Sequence, residues 1–361
     1  MKFLTEYETV SSKEYGDAFV GMNSGNGFIG SYSDVINEDL LERLYIIKGA
    51  PGTGKSTFMK MISSSAAMMD IPVKRFVCSS DISSIDAVIL NNKIAVIDGT
   101  LPHAYEMKYP GSVSEIIDVT RFWDTEALAS DSEEIKYHTK RKSSFYNEAY
   151  NNLSAYNLLQ NERYRKISKV IDKDKISGMA ERLIKSFGRS KSCGINENKI
   201  LCSIGMAGRY RLDTLDRDAK RIITVADING SAYIFMDMID RYLSHSEWSY
   251  TTSRDPINPG LLCDIYIEEI QTLITVSEQE NNDKIINMNR FIDVSLLSAI
   301  RGNLRLSNKC GAVFMTDALA SLQNAGNEHF SLERIYSAKM DFDSLNAYFK
   351  LKESEIINRL S

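Results

Sequence analysis

Nine consecutive residues, Gly49-Ala50-Pro51-Gly52-Thr53-Gly54-Lys55-Ser56-Thr57, carry the chemistry that stands out most in this chain. They meet the spacing G-x-x-x-x-G-K-[ST] at every fixed position. Glycines let a backbone wrap a phosphate group with its N–H donors turned inward, in conformations that a Cβ would forbid. Lys55 then brings a compact positive charge to the β- and γ-phosphates, and the Ser56 hydroxyl can ligate Mg2+. The expected ligand is a nucleoside triphosphate, ATP, with Mg2+ beside it.

Such a loop works only between a strand and a helix. The apolar run Leu44-Tyr45-Ile46-Ile47 precedes it as a strand, and a helix is expected over 55–69, its N-terminal dipole adding to the anion site. Upstream, a strand is expected around Ala18-Phe19-Val20, then a Gly/Ser/Asn-rich loop over 21–27 and a short helix from Ser33 to Arg43. Val73 to Cys78 reads as a second strand and Ile94-Ala95-Val96-Ile97 as a third. The third ends in Asp98, the Walker B pattern of four apolar residues and an acid, whose carboxylate would hold the Mg2+ shell. Aliphatic strands alternating with helices predict a parallel sheet buried on both faces. From Ser114 to Phe187 the chain reads as mostly helical, and the basic residues within it, Lys140-Arg141-Lys142 among them, as solvated faces or as a phosphate-side lid or partner surface. Gly188 to Gly194 is the linker candidate.

The second half repeats the first in outline. Phe58-Met59-Lys60-Met61-Ile62 recurs as Phe235-Met236-Asp237-Met238-Ile239, and Gly21-Met22 as Gly205-Met206. Cys78-Ser79-Ser80-Asp81 pairs with Thr252-Ser253-Arg254-Asp255, and Asp172-Lys173-Asp174 with Asp341-Phe342-Asp343. On this alignment Ala232 replaces Lys55, Tyr233 replaces Ser56 and Ser277 stands at Asp98. The expected fold is α/β, two tandem P-loop NTPase-like domains with mainly parallel sheets and long helical C-terminal parts. An intact domain over 1–190 would be followed by a degenerate one over 195–361.

Composition narrows the class. With 43 basic and 48 acidic residues the chain carries a net charge of −5, unlike a general nucleic-acid binder. Its first residues lack a signal-peptide core, and no apolar run approaches the ~20 residues of a membrane span. Five scattered cysteines without C-x-x-C read as reduced thiols, so a cytoplasmic location is expected, and the four histidines show no metal-ligand spacing. An oligomer stays open.

Taken in order, Gly49–Thr57, Cys78 to Asp86, Asp98-Gly99-Thr100-Leu101-Pro102-His103, Tyr109-Pro110-Gly111 and Arg121-Phe122-Trp123-Asp124 resemble a family of two-repeat P-loop ATPases of spore-forming and related Gram-positive bacteria. The resemblance spans nearly the whole chain and implies nucleotide binding without implying a reaction. Typical members carry a P-loop in both halves, from which this chain departs.

Further groups lie where strand ends would face the phosphates. Asp81 and Asp86 either position an acceptor hydroxyl or attacking water, or Ser79-Ser80-Asp81 caps a following helix. Thr100 and His103 either meet the γ-phosphate or, for the histidine, bond to loop backbone. Arg121 is either a cis arginine finger or a structural neighbour of Phe122-Trp123. Gly99 occupies the position beside Asp98 where a catalytic glutamate would sit. An ATPase acting on a protein partner, a kinase for a small-molecule or nucleotide acceptor, and a slow or non-hydrolysing binding module all remain open.

Overall fold

The computed structural model describes residues 7–30, 32–101, 105–190, 194–226, 230–277 and 282–360. The first half contributes strands β1 (Ala18–Phe19), β2 (Arg43–Lys48), β3 (Val73–Val77), β4 (Ile85–Leu90), β5 (Ile94–Asp98) and β6 (Ser114–Asp118). From the second come β7 (Asn196–Asn198), β8 (Arg221–Ala226), β9 (Tyr250–Arg254), β10 (Leu262–Ile267), β11 (Thr272–Thr275) and β12 (Lys284–Asn287). The larger helices are α1 (Lys55–Met68), α2 (Ser132–Ile167), α3 (Lys173–Ser186), α4 (Ser231–Ser244), α5 (Val294–Ser337) and α6 (Phe342–Asn358).

One topology is used twice. The two six-stranded sheets run β1-β3-β4-β5-β2-β6 and β7-β9-β10-β11-β8-β12. In the first, β4 is antiparallel to both neighbours and all other pairs are parallel. The second repeats this with β10 in the place of β4. Even the register irregularity recurs, between Phe76 and Val77 and between Ser253 and Arg254.

Five of the six strands in each sheet therefore run in one direction, mainly parallel as expected, and the one reversed strand, β4 or β10, was not expected. No helix follows Ser79-Ser80-Asp81. Ile85 to Leu90 forms a fully buried strand instead, so Asp98 follows a hairpin and not a βα unit. Asn91 and Asn92 make the turn with φ of 51° and 55°. Asn tolerates this left-handed region, and an Asn pair between two apolar runs favours a tight hairpin. Ser114 to Asp118, read as helix from sequence, is the edge strand β6 beside β2. Arg43 opens β2, and the helix before it shrinks to Tyr32–Val35.

Alternation along the strands divides two apolar layers. Tyr45, Ile47, Val88 and Val96 pack under α1 and α6, whereas Leu44, Ile46, Ala95 and Ile97 share a core with Tyr266 and Leu273 of the other sheet. The second sheet turns Ile223, Val225, Ile265 and Ile274 to α4 and α3. The order of layers is helices, sheet, sheet, helices.

The outer helices are exchanged between the halves. From the first half, α3 buries Ile176, Ala180 and Leu183 against the second sheet's core. From the second half, α6 returns to the first, where Phe349 stacks on Phe58 of α1 with ring centroids 4.2 Å apart. Two matching backbone bridges fix the exchange. Asp124 N–H donates to the Lys339 carbonyl and Asp341 N–H to that of Phe122, at 2.9 Å each. Asp172 N–H donates to Phe291 at 2.7 Å and Asp293 N–H to Val170 at 2.8 Å. All four aspartates also cap the helix that follows them.

The helices α2 and α5, with 36 and 44 residues, are about 54 Å and 66 Å long at 1.5 Å per residue. They run antiparallel, Gly311 against Tyr156 and Glu328 against His138 and Arg141.

Candidate phosphate-binding site

Strand β2 delivers Gly49 to the C-terminal edge of the first sheet, and the loop closes on α1. Gly52 and Gly54 hold φ of 74° and 77°, left-handed values that favour glycine, and Gly54 caps the helix. A Cβ on Gly49 would stand 2.5 Å from Val119 and 2.8 Å from the Thr53 hydroxyl. Thr53 Oγ1 and Lys55 Nζ both donate to the Ala50 carbonyl, at 2.8 Å and 2.7 Å. The loop is thus curled around its own lysine.

Asp98 lies on the neighbouring parallel strand, paired in register with Ile47. Its Oδ2 is 3.6 Å from Lys55 Nζ, and its Oδ1 accepts from Thr100 N–H at 2.8 Å. Burial raises the Asp98 carboxyl above the usual range, Lys55 opposes that and the charge of Asp86 adds to it. The buried Asp86 sits on β4 in the row just beyond the Ala87–Ile97 pair, beside Asp98. Tyr32 Oη is 3.0 Å from the backbone oxygens of both aspartates and pins the two strand ends together. Ser56 Oγ accepts from Ile85 N–H at 2.9 Å, which ties α1 to the start of β4. The structure therefore gathers Lys55, Ser56, Asp86, Asp98 and Thr100, whose hydroxyl donates to the Gly49 carbonyl at 2.8 Å.

Other expected residues fall elsewhere. The Asp81 carboxylate accepts from Ser83 N–H at 3.0 Å and from the hydroxyls of Ser83 and Ser84, so it folds its own turn, without a helix to cap. Arg121 lies over the rings of Phe122 and Tyr348, at 5.2 Å and 4.8 Å, in a structural position. His103 lies outside the described residues. At Gly99 a Cβ would stand 2.4 Å from Ile46 Cγ2, so a glutamate beside Asp98 would force the Ile46 side chain to shift. The Gly99 carbonyl accepts from Lys48 Nζ at 2.6 Å, a bond that the motif spacing did not indicate.

The long helices reach over this edge. Tyr146 Oη of α2 donates to Ser80 Oγ at 3.0 Å, and Tyr150 Oη to Asn23 Oδ1 at 2.9 Å. On the other side a Cβ at Gly52 would stand 2.8 Å from the Glu333 carbonyl of α5. A cleft of about 720 Å3 opens there, lined by Gly52, Phe330, Glu333 and Arg334 among others.

The second sheet lacks this equipment. Gly230 caps α4 at φ 90°, as Gly54 caps α1, but only residues 227–230 connect β8 to α4 where 49–54 connect β2 to α1. Matching the helix starts puts Ser231 at Lys55 and Ala232 at Ser56, a shift from the gapless sequence alignment caused by the shorter loop. Strand register likewise puts Val276 at Asp98, and Asn258 and Cys263 at Asp81 and Asp86. Gly205 pairs with Gly208 as Ser24 pairs with Gly27, so its counterpart is Ser24 and not Gly21. The buried Asp255 accepts from Ile257 N–H and Asn258 N–H at 2.8 Å and 3.0 Å, and Asn258 Nδ2 donates to Asn161 of α2 at 2.9 Å. Comparison of the chain with protein-family models, with curated proteins and with solved structures finds no match in any of the three.

Proposed function

We propose that this chain binds ATP with Mg2+ at Gly49–Thr57 and hydrolyses it slowly, the second half serving as a scaffold or regulator without a nucleotide of its own. One observation carries the reading: two left-handed glycines curl the loop so that Lys55 rests on the Ala50 carbonyl, 3.6 Å from Asp98. That parked ammonium needs only to exchange a carbonyl for a phosphate oxygen. The residues fit the ligand. Side chains are absent where a Cβ would strike Val119 and Thr53, at Gly49, or the Glu333 backbone, at Gly52, and the dipole of α1 points toward the loop. A bound Mg2+ would neutralise developing charge on the phosphates.

The chain's own groups have separable roles. Loop N–H groups and Lys55 orient the triphosphate, Ser56 Oγ and Asp98 hold the metal shell, and Asp86 with Thr100 can orient a water. Gly99 supports slow turnover, because it stands where a glutamate would activate that water, and a Cβ there would force the Ile46 side chain to shift.

Production of ADP and free phosphate from Mg-ATP tests the reading. Equal amounts of both are expected, with Lys55→Ala reducing turnover on the order of 100-fold or more while the protein stays folded. ADP without phosphate, in the presence of nucleosides or sugars, would replace hydrolysis by transfer to a small-molecule acceptor. Tight ATP binding with neither product would leave a nucleotide-dependent module acting on a protein partner. Unchanged turnover in Lys55→Ala would remove the site.

A further inference from the structure

The helix that arches over the site carries a cation that no described residue neutralises. Lys142, Tyr146 and Tyr150 lie four residues apart on one face of α2, the face that lies against the edge of the first sheet. Tyr146 and Tyr150 anchor that face through Ser80 and Asn23. The adjoining face is held to α5, where Arg141 Nε donates to Glu328 at 2.6 Å and His138 Nδ1 lies 2.5 Å from the same carboxylate. Glu328 stands about one turn from the Glu333 backbone that touches Gly52. Lys142 is fixed between these anchors.

Its environment is costly for an ammonium. Lys142 is partly buried and has no hydrogen-bond or ion-pair partner among the described residues. Burial lowers its proton affinity, and the nearby charge of Lys55 lowers it further. Lys142 therefore lies near enough to Lys55 for the two charges to act on each other. Asp98 can serve Lys55 at 3.6 Å, and among the described residues no carboxylate pairs with Lys142. A half-buried cation without a counter-charge destabilises a fold unless an anion arrives. The chain retains none of this in its second half. The capping pairs Asp124/Asp293 and Asp172/Asp341 bring Gly311, packed on Tyr156, to the equivalent position in α5.

We propose that Lys142 binds the terminal phosphate of the nucleotide held by Gly49–Thr57, making α2 the second wall of the site. This rests on the ATP reading above and adds that the site distinguishes a triphosphate from a diphosphate. Lys55 reaches the β/γ junction from the loop, and Lys142 meets the outer oxygens from the helix. A compact ammonium suits a phosphate as a point charge, and Arg can replace it only with adjusted geometry.

Affinities for Mg-ATP and Mg-ADP, measured by calorimetry on the full chain, test this. Lys142→Met should weaken ATP about 10-fold or more and leave ADP within about 2-fold, the loss expected for one charge-assisted contact. Lys142→Arg should recover most of the ATP affinity. The melting temperature of Lys142→Met without nucleotide should equal or exceed that of the wild type, because an uncompensated charge is removed. Equal ATP and ADP affinities in Lys142→Met and wild type would overturn the role of Lys142 while leaving the nucleotide site intact. Loss of both ligands in equal measure would also overturn it, as a general distortion of the loop. A wild type that binds neither nucleotide would instead remove the ATP reading itself, and this role with it.

Discussion

Asp98 shows how a single residue can be set against the stability of its own fold. Its carboxyl is buried and its pKa is raised, because Lys55 and the hydrogen bonds from Thr100 offset the burial only in part. A carboxyl whose pKa is raised by folding is, once ionised, less stable in the fold than in the unfolded chain. Its contribution therefore turns unfavourable as pH rises through the carboxylate range. Asp98→Asn should then keep or raise the melting temperature at neutral pH, while Mg2+ affinity in the presence of ATP falls on the order of 10- to 100-fold. A marked loss of melting temperature would show that Asp98 serves the fold and not the metal. Gly49, Gly52 and Gly54 belong to the same scale. Their spacing was legible because each position excludes a side chain for a local reason, sterics or a positive φ, that short sequence patterns record.

Among elements, α6 is the one whose importance the chain order conceals. It comes last, yet it lies under the first loop. A Cβ on Gly54 would meet Phe349 at 3.5 Å and Leu345 at 3.7 Å. Phe349 is 5% exposed and stacks on Phe58, so Phe349→Ala should cost about 3 kcal/mol or more in a denaturant titration. It should also weaken nucleotide binding, since the helix start and the loop share that support. A cost below about 1 kcal/mol would mean that α6 does not carry the first half. The sequence suggested long helical C-terminal parts, but nothing local names the surface that buries α6. Strand β4 was missed for a related reason. Ile85 to Leu90 is a short apolar run of the kind that periodicity alone does not classify, and the Asn91-Asn92 turn was the overlooked signal.

At the scale of the whole molecule, the exchange of α3 and α6 and the core shared by Leu44, Ile46, Tyr266 and Leu273 bind the halves into one body. A single calorimetric unfolding transition is expected, with van't Hoff and calorimetric enthalpies equal within error. Two transitions, or a fragment 1–190 that folds with native stability, would contradict this. The arrangement also gives the second half a place in the function. Through α5 it touches Gly52, and through α6 it supports Gly54, so the second half contacts the glycine-rich loop of the first.

By itself the sequence determined the glycine-rich loop, its lysine and the serine after it, the strand before it, the acid at Asp98 and the existence of a repeat. These depend on residue type at short spacing, where sterics and hydrogen bonding act over a few residues. Tertiary structure decided the rest. It reversed one strand in each sheet, placed Asp86 beside Asp98, turned Asp81 into its own loop and exchanged the outer helices. It also left Lys142, within a stretch of charged helix, partly buried near Lys55. In each case the deciding energy is burial against a surface, or pairing with a charge, contributed by residues far away in the chain.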